Sequence, residues 1–297
     1  MNAAIAGILF MMLSGVSGTL MLSAIKHLAE DLHPLQIAFF RCVVGFIVLA
    51  PMLWQIGGVR AMRTRHIGLH ALRGLLNAGA MLCFFWAVSI TPLAMISAIN
   101  FTAPLFATLL AILILGERVG IRRWAGLVIG FAGTLVIVRP GFEAVSPGAI
   151  LALVSSLVWA GAMIVIKRLT HEESPLVITL YASIFVGLFA LIPAIAVWQW
   201  PTGWQWGWLA LIGVFGSAVQ YFLTRAFSLA DTTLVLPFDF LKLVWASIAG
   251  LFLFQEVPDI WTWIGGSVIF ASSFYIAYRE RRRGVPPRPR VPDTPAS

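Results

Sequence analysis

The amino-acid sequence predicts an all-α membrane protein of ten transmembrane helices, built as two inverted five-helix repeats. Three observations predict it: the composition, the spacing of the apolar runs, and a match of the chain to itself. Of the 297 residues, 60% are hydrophobic and 11% are charged, and the mean hydropathy is +0.93. A water-soluble domain carries about 25% charged residues, so this chain has too few to cover a surface facing water. A membrane-spanning helix takes about 20 apolar residues, so ten of them use about 200 and leave only short connections, with no room for a separate soluble domain.

Charges, prolines and Gly or Trp clusters cut the chain into apolar runs at 3–25, 35–54, 68–90, 93–115, 122–138, 148–166, 176–198, 207–229, 232–254 and 260–278. No Lys or Arg precedes the first run, and it is longer than a signal-peptide core, so it reads as span 1. With the N-terminus inside and the side switching at each span, fourteen of the twenty Lys and Arg residues fall inside and only Lys26 and Arg139 outside. Arg225 sits at an inner helix end, and Arg41, Arg73 and Lys242 lie within spans. Such a bias sets both termini on the cytoplasmic side. The net charge of +8 is therefore read as topology and not as a sign of a nucleic-acid partner. Cys42 and Cys83 sit in apolar runs, where a thiol behaves as a small hydrophobe. From 279 to 297 the chain is basic and then Pro-rich, a composition expected to stay disordered as a cytoplasmic tail.

Sliding the chain against itself by 139 residues aligns Trp86–Ile137 with Arg225–Ile276 without a gap: Phe101 meets Phe240, Glu117 meets Glu256, Trp124 meets Trp263 and Gly126 meets Gly265. At an offset of 141, Ser14 meets Ser155, Lys26 meets Lys167 and Pro34 meets Pro175. The chain divides into repeats at 3–138 and 148–278. Five spans per repeat is an odd number, so the second repeat sits upside down relative to the first. Inverted repeats are a transporter signature, because two such halves can exchange conformations about a central site.

Span 2 carries Arg41 after Pro34. Span 4 reads Pro104-Leu105-Phe106 and ends Leu115-Gly116-Glu117-Arg118, followed by Trp124, Gly126, Gly130 and Gly133. In these residues the chain resembles the EamA-type repeat of the drug/metabolite transporter superfamily, over essentially residues 3–278. The first repeat fits better. In the second, Ala182 and Leu243 stand where Arg41 and Pro104 map, while Glu256 and Gly265 are kept. The resemblance implies a carrier in the bacterial inner membrane, with a central cavity lined mainly by spans 1, 3, 4, 6, 8 and 9. It leaves open amino acids, other metabolites, nucleotide derivatives and drugs as substrates.

A charge near the bilayer centre costs at least about 2.5–3.5 kcal/mol on insertion scales, so charged residues in spans face protein or a wet cavity. Asp239 and Lys242 are three apart on one face of span 9 and can neutralise one another. Asn100 is the repeat mate of Asp239. The three are candidates to bind a substrate carboxylate or ammonium, or else form an internal salt bridge and a packing hydrogen bond. Arg41 and Arg73 either line the cavity or snorkel to head groups. Asn77 shares a face with Arg73, and the two together are candidates to hold an anionic group at the inner mouth. Phe101 and Phe240 follow Asn100 and Asp239, and Trp159 and Trp245 also fall near mid-span. They either stack on a flat substrate or fill space between helices. Glu117 and Glu256 are expected to cap the helices that follow them. Pro104 and Pro237 can each bend a span, but they are not repeat-equivalent, so symmetry predicts no matched hinge. Trp198, Trp200, Trp204, Trp206 and Trp208 read as an interfacial belt.

These features predict a secondary transporter for small metabolites, most simply an exporter of amino acids, aromatic ones favoured. The alternative is uptake of a nucleotide-like metabolite such as S-adenosylmethionine, which other members of the superfamily carry. A remote alternative is an intramembrane serine hydrolase at Ser17, in Gly15-Val16-Ser17-Gly18, but the five His residues lie in loops or near helix ends. No His/Cys cluster has ligand spacing, and there is no phosphate-binding loop, so neither a metal nor a cofactor is expected. The expected partners are the substrate and the bilayer, with the chain a monomer or weak homo-oligomer.

Overall fold

A computed structural model describes residues 3–55, 64–115, 121–139, 146–169, 173, 175–229 and 238–282. Its helices are α1 (Ala3–Leu28), α2 (Pro34–Gln55), α3 (Ile67–Ile90), α4 (Leu93–Asn100), α5 (Ala103–Leu115), α6 (Ile121–Val138), α7 (Pro147–Leu169), α8 (Pro175–Ala196), α9 (Gly203–Leu229), α10 (Leu241–Phe254) and α11 (Ile260–Arg282). Among the described residues there is no strand. Pro34, Pro147 and Pro175 open α2, α7 and α8, where a missing N–H removes no helical bond. Five long apolar stretches, Leu93–Ile114 through α4 and α5 among them, and five shorter ones supply the ten spans of a membrane fold. The basic run expected to begin a loose tail at 279 instead continues α11 to Arg282. Residues 283–297 lie outside the described residues.

Span 4 was expected as one helix and is two. It is interrupted at Phe101 and Thr102, just ahead of Pro104. Pro104 offers no N–H to the carbonyl of Asn100 four residues back, which weakens the helix there, although Ala103 before it is already helical. The groups released by the interruption find other partners. Thr102 Oγ1 donates to the carbonyl of Ile99 at 2.7 Å, and Ser273 Oγ of α11 donates to that of Phe101 at 3.3 Å. Span 9 is interrupted at the equivalent place. Phe238 and Asp239 are helical, Phe240 is a turn, and α10 begins at Leu241 with its Leu243 N–H bonded to the Phe240 carbonyl at 2.9 Å. The two interruptions are repeat-equivalent, although Leu243 and not proline stands in the second. A matched pair of breaks, absent from the sequence reading, is thus a property of the Asn100-Phe101 and Asp239-Phe240 positions and not of proline. Pro237 lies outside the described residues.

The packing obeys a two-fold relation. α1 runs along α9 as α7 runs along α3, α2 meets α9 as α8 meets α3, and α1 touches α10 as α7 touches α4 and α5. The pairs α6 with α11 and α2 with α8 map onto themselves. Individual bonds repeat too. Ser14 Oγ donates to the Val219 carbonyl at 3.2 Å, and its mate Ser155 donates to the Ala80 carbonyl, the mate of Val219, at 2.7 Å. Serine hydroxyls on neighbouring carbonyls are common glue where lipid offers helices no hydrophobic reason to associate. α6 and α11 approach backbone to backbone. A Cβ built on Gly265 would stand 2.5 Å from the Gly133 carbonyl oxygen, and one on Gly133 would stand 2.9 Å from that of Gly265.

The largest buried core lies toward the end of the bundle opposite the termini. It gathers Ile25, Leu28 and Leu32 after α1, Ile37 of α2, Phe85 and Val88 of α3, and Leu93, Ile96 and Ile99 of α4. At the other end the described repeat mates differ: Leu169 and Ile178 are as buried as Leu28 and Ile37, whereas Ile166 and Phe238 are half-buried where Ile25 and Ile99 are fully buried.

Candidate functional site

Lys242 and Trp245 of α10, with Asp239 just ahead of it, stand where α10 meets α1. Gly15 leaves a gap in α1 that side chains of α10 fill: a Cβ there would stand 3.3 Å from Lys242 Cγ and 3.6 Å from Trp245 Cδ1. Lys242 forms an ion pair with Asp239 one turn back, and their side chains are 28% and 22% exposed, so the pair is neutralised without being sealed from solvent. The indole N–H of Trp245 is buried without a hydrogen-bond partner, a donor left free inside a span. Asn100, the repeat mate of Asp239, ends α4 with its side chain exposed. The arrangement offers a cation, an anion, an indole donor and an amide at the two interrupted spans. It can bind both charges of a zwitterion without covalent chemistry. Ser17, the remote nucleophile candidate, is buried in α1.

The aromatic candidates are placed differently from one another. Phe101 and Phe240 stack at 5.8 Å and 24°, and both reach Phe270 of α11, at 5.7 and 4.8 Å. The three rings fill the seam between the interrupted spans and α11, so much of the surface proposed for a flat substrate is covered by phenylalanine. Trp159 is half-buried on α7. Trp198 joins Phe39, Phe40 and Trp200 in ring contacts between α2 and the α8–α9 connection.

Arg41 turns inward instead of snorkelling. Its Nη1 is 3.8 Å from Met81 Sδ of α3, its Nε is buried without a partner, and a Cβ on Gly216 of α9 would stand 3.0 Å from that Nε. Arg73 departs from the anion-holding role expected at the inner mouth. It is 8% exposed and donates to the Ile178 carbonyl in the first turn of α8, so it ties α3 to α8. His70, one turn earlier, stacks on Tyr181 at 4.5 Å and lies 3.6 Å from Glu173. Asn77 is half-buried one turn beyond Arg73.

Glu256 does not cap the helix that follows it. That place is taken by Asp259, whose carbonyl receives the Thr262 N–H at 3.0 Å. The Glu256 carboxylate instead pairs with Lys26 at the end of α1 and accepts the N–H of Leu93, the first residue of α4, at 2.9 Å. Lys26 also donates to the Thr91 carbonyl at 2.8 Å. A carboxylate at a helix N-terminus meets unpaired N–H groups and the positive end of the dipole, but here the helix belongs to another span. The sequence reading missed this contact. Its signal was present in the duplication, where Lys26 and Glu256 both have identical mates. Glu117 lies outside the described residues.

Three similarities bear on identity. Over 276 residues, 93% of this chain and 94% of the other, the sequence is 32% identical to an S-adenosylmethionine uptake transporter of Rickettsia prowazekii. It is 33% identical to a riboflavin transporter of Rhizobium johnstonii over 288 residues, 95% of this chain and 94% of that one. A solved crystal structure superposes with a TM-score of 0.61 at 18% identity, covering 95% of this chain and 98% of the other, which speaks to the fold. The EamA-like transporter family matches residues 5–139 and again 146–278, one match in each half. The chain, a multi-pass membrane protein whose relatives move small metabolites, therefore belongs to the EamA-like transporter family.

Proposed function

We propose that this protein is a secondary carrier that takes up a zwitterionic metabolite bearing a flat ring, an S-adenosylmethionine-like compound, across the bacterial inner membrane. The observation that carries the reading is the Asp239–Lys242 pair, half open to solvent beside the free indole N–H of Trp245. An amino-acid moiety brings an ammonium and a carboxylate that the pair can exchange for each other. A purine ring supplies acceptors for the indole donor. The uptake transporter of Rickettsia prowazekii supports the substrate class and the direction. Transport proceeds by rocking of the two repeats about the level of Asn100 and Asp239, each side closing in turn. The positive-inside bias supports cytoplasmic termini, and reporter fusions at the C-terminus test that orientation directly.

Riboflavin is the second reading, favoured by the relative from Rhizobium johnstonii. Its ring system is neutral and has no need of paired charges. Export of aromatic amino acids ranks behind both, which the relatives from Rickettsia prowazekii and Rhizobium johnstonii support by name.

The test is uptake of labelled S-adenosylmethionine into proteoliposomes, with S-adenosylhomocysteine, riboflavin, phenylalanine and tryptophan as competitors. Saturable uptake, blocked by the adenosyl compound and weakened in Asp239→Asn, is the expected result. Uptake of riboflavin alone overturns the reading in favour of the second. Release of preloaded phenylalanine or tryptophan, with no movement of either ring compound, returns the protein to amino-acid export.

A further inference from the structure

We propose that Lys26 and Glu256 form the closing clasp at the end of the transport pathway opposite the termini, and that the structure is the conformation in which this clasp is shut. The inference rests on the carrier reading above, but its geometry is independent of the substrate. Two side chains draw three parts of the bundle together. Lys26 ends α1, Glu256 lies between α10 and α11, and both bond to the corner between α3 and α4, through the Thr91 carbonyl and the Leu93 N–H. These are spans 1, 3, 4 and 9, so the clasp joins both repeats.

Four further features fit a closure and not a chance surface pair. The Lys26 and Glu256 side chains are only 14% and 17% exposed. Glu256 is held in position by its own backbone: its N–H bonds to the Gly250 carbonyl at 2.9 Å, across Gln255 in the left-handed conformation at φ 56°. Gly250 leaves the space the carboxylate occupies, since a Cβ there would stand 3.1 Å from Glu256 Oε2. Beneath the clasp lies the largest apolar core among the described residues, including Ile25, Leu28, Leu93 and Ile96.

The bonds are directional, which separates this clasp from a simple charge attraction. The carboxylate faces an N–H and the ammonium faces a carbonyl, so exchanging Lys26 and Glu256 would restore the ion pair but point each charge at the wrong backbone group. The charge-swapped protein is therefore expected not to recover.

The first experiment needs no substrate. With Cys42 and Cys83 replaced by alanine, spin labels at Glu30→Cys and Val257→Cys, both exposed positions beside the clasp, report the distance across it in a bilayer. We expect one short distance in the otherwise native protein and an added longer population when Glu256→Gln is introduced. An unchanged distribution overturns the clasp. The second experiment bridges Lys26→Cys and Glu256→Cys with a short bifunctional methanethiosulfonate, since a lysine–glutamate pair holds its backbones further apart than a disulfide reaches. Bridging is expected to lower transport at least about tenfold, as locking one of two exchanging states does, with recovery on reduction. Transport at the unbridged rate overturns the proposal. Wild-type vesicles run alongside keep the two readings apart: no flux of any tested compound in wild type counts against the substrate assignment, while wild-type flux that survives the bridge counts against the clasp.

Discussion

Replacing Gly265 with alanine is expected to separate two helices. The added Cβ would stand 2.5 Å from the Gly133 carbonyl oxygen and 2.5 Å from Ile137 Cγ1, where ordinary contact begins at 3.4 Å. Ile137 can rotate away, but a backbone carbonyl in the middle of α6 cannot. The helices must therefore part by about 0.9 Å along the seam, a gap that forfeits a quarter to a half of each contact's attraction. Overpacking a tight interior costs about 1–3 kcal/mol, and this case belongs at the upper end because backbone meets backbone. For a chain of this size that is a fall of roughly 3–5 °C in apparent Tm. The assay is thermal unfolding in detergent, followed by tryptophan fluorescence, beside Gly207→Ala, where nothing lies within 4 Å of the added Cβ. The control should melt with the wild type or slightly above it, since alanine favours a helix over glycine by about 1 kcal/mol. If Gly265→Ala melts with the control, the close approach of α6 and α11 is not as described.

Asp239→Asn leaves Lys242 without its carboxylate and removes the acceptor for a substrate ammonium; losing a charge-assisted bond of about 1.5–3 kcal/mol should raise the apparent KM by roughly 10- to 150-fold in the uptake assay. Adding Lys242→Gln to it should restore the melting temperature without restoring transport, which binding and melting measured on one preparation will separate. Arg73→Met removes the charged donor that the Ile178 carbonyl receives beyond its own helix bond and should cost about 1–3 kcal/mol in apparent stability, while the folded fraction still transports. Gln255→Gly relieves a left-handed residue and should raise stability by about 1 kcal/mol, read as a higher melting temperature; Gly116 already occupies the matching place in the first repeat.

The span count was readable because each span must carry its own apolar surface and satisfy its own backbone, leaving a strong local signal. The duplication was readable for another reason: Ser14 and Ser155, or Gly126 and Gly265, answer the same packing demand twice. Contacts between distant spans were less visible. Arg73 looked like a free cation because the carbonyl of Ile178 that occupies it leaves no mark in the sequence. Glu256 looked like a cap for its own neighbour because a carboxylate beside a helix start usually is one, and only the chain's return brings Leu93 to it. The interruption at Phe240 was less legible, because Pro237 is not at the repeat-equivalent place of Pro104, where Leu243 stands, and Phe270, which packs on it, is thirty residues away.

The partial exposure of Ile166 and Phe238 bears on how hard it would be to exchange the two states. In the proposed motion, closing that end would bury Ile166 and Phe238 as Ile25 and Ile99 are released at the other, apolar groups of similar size on related helices. At about 25 cal/mol per Å² of apolar surface, the two burials largely cancel, so the hydrophobic term sets little bias between the conformations. What remains are directional contacts such as the Lys26–Glu256 clasp, together with the binding energy of the substrate. A ligand shifts such an equilibrium only by its difference in affinity for the two states, and a bias of a few kcal/mol lies within reach of one bound zwitterion. An interrupted span suits that task, because Asn100 and Asp239 each stand where their helix is already divided, and a change in their contacts can turn one segment without straining a continuous helix.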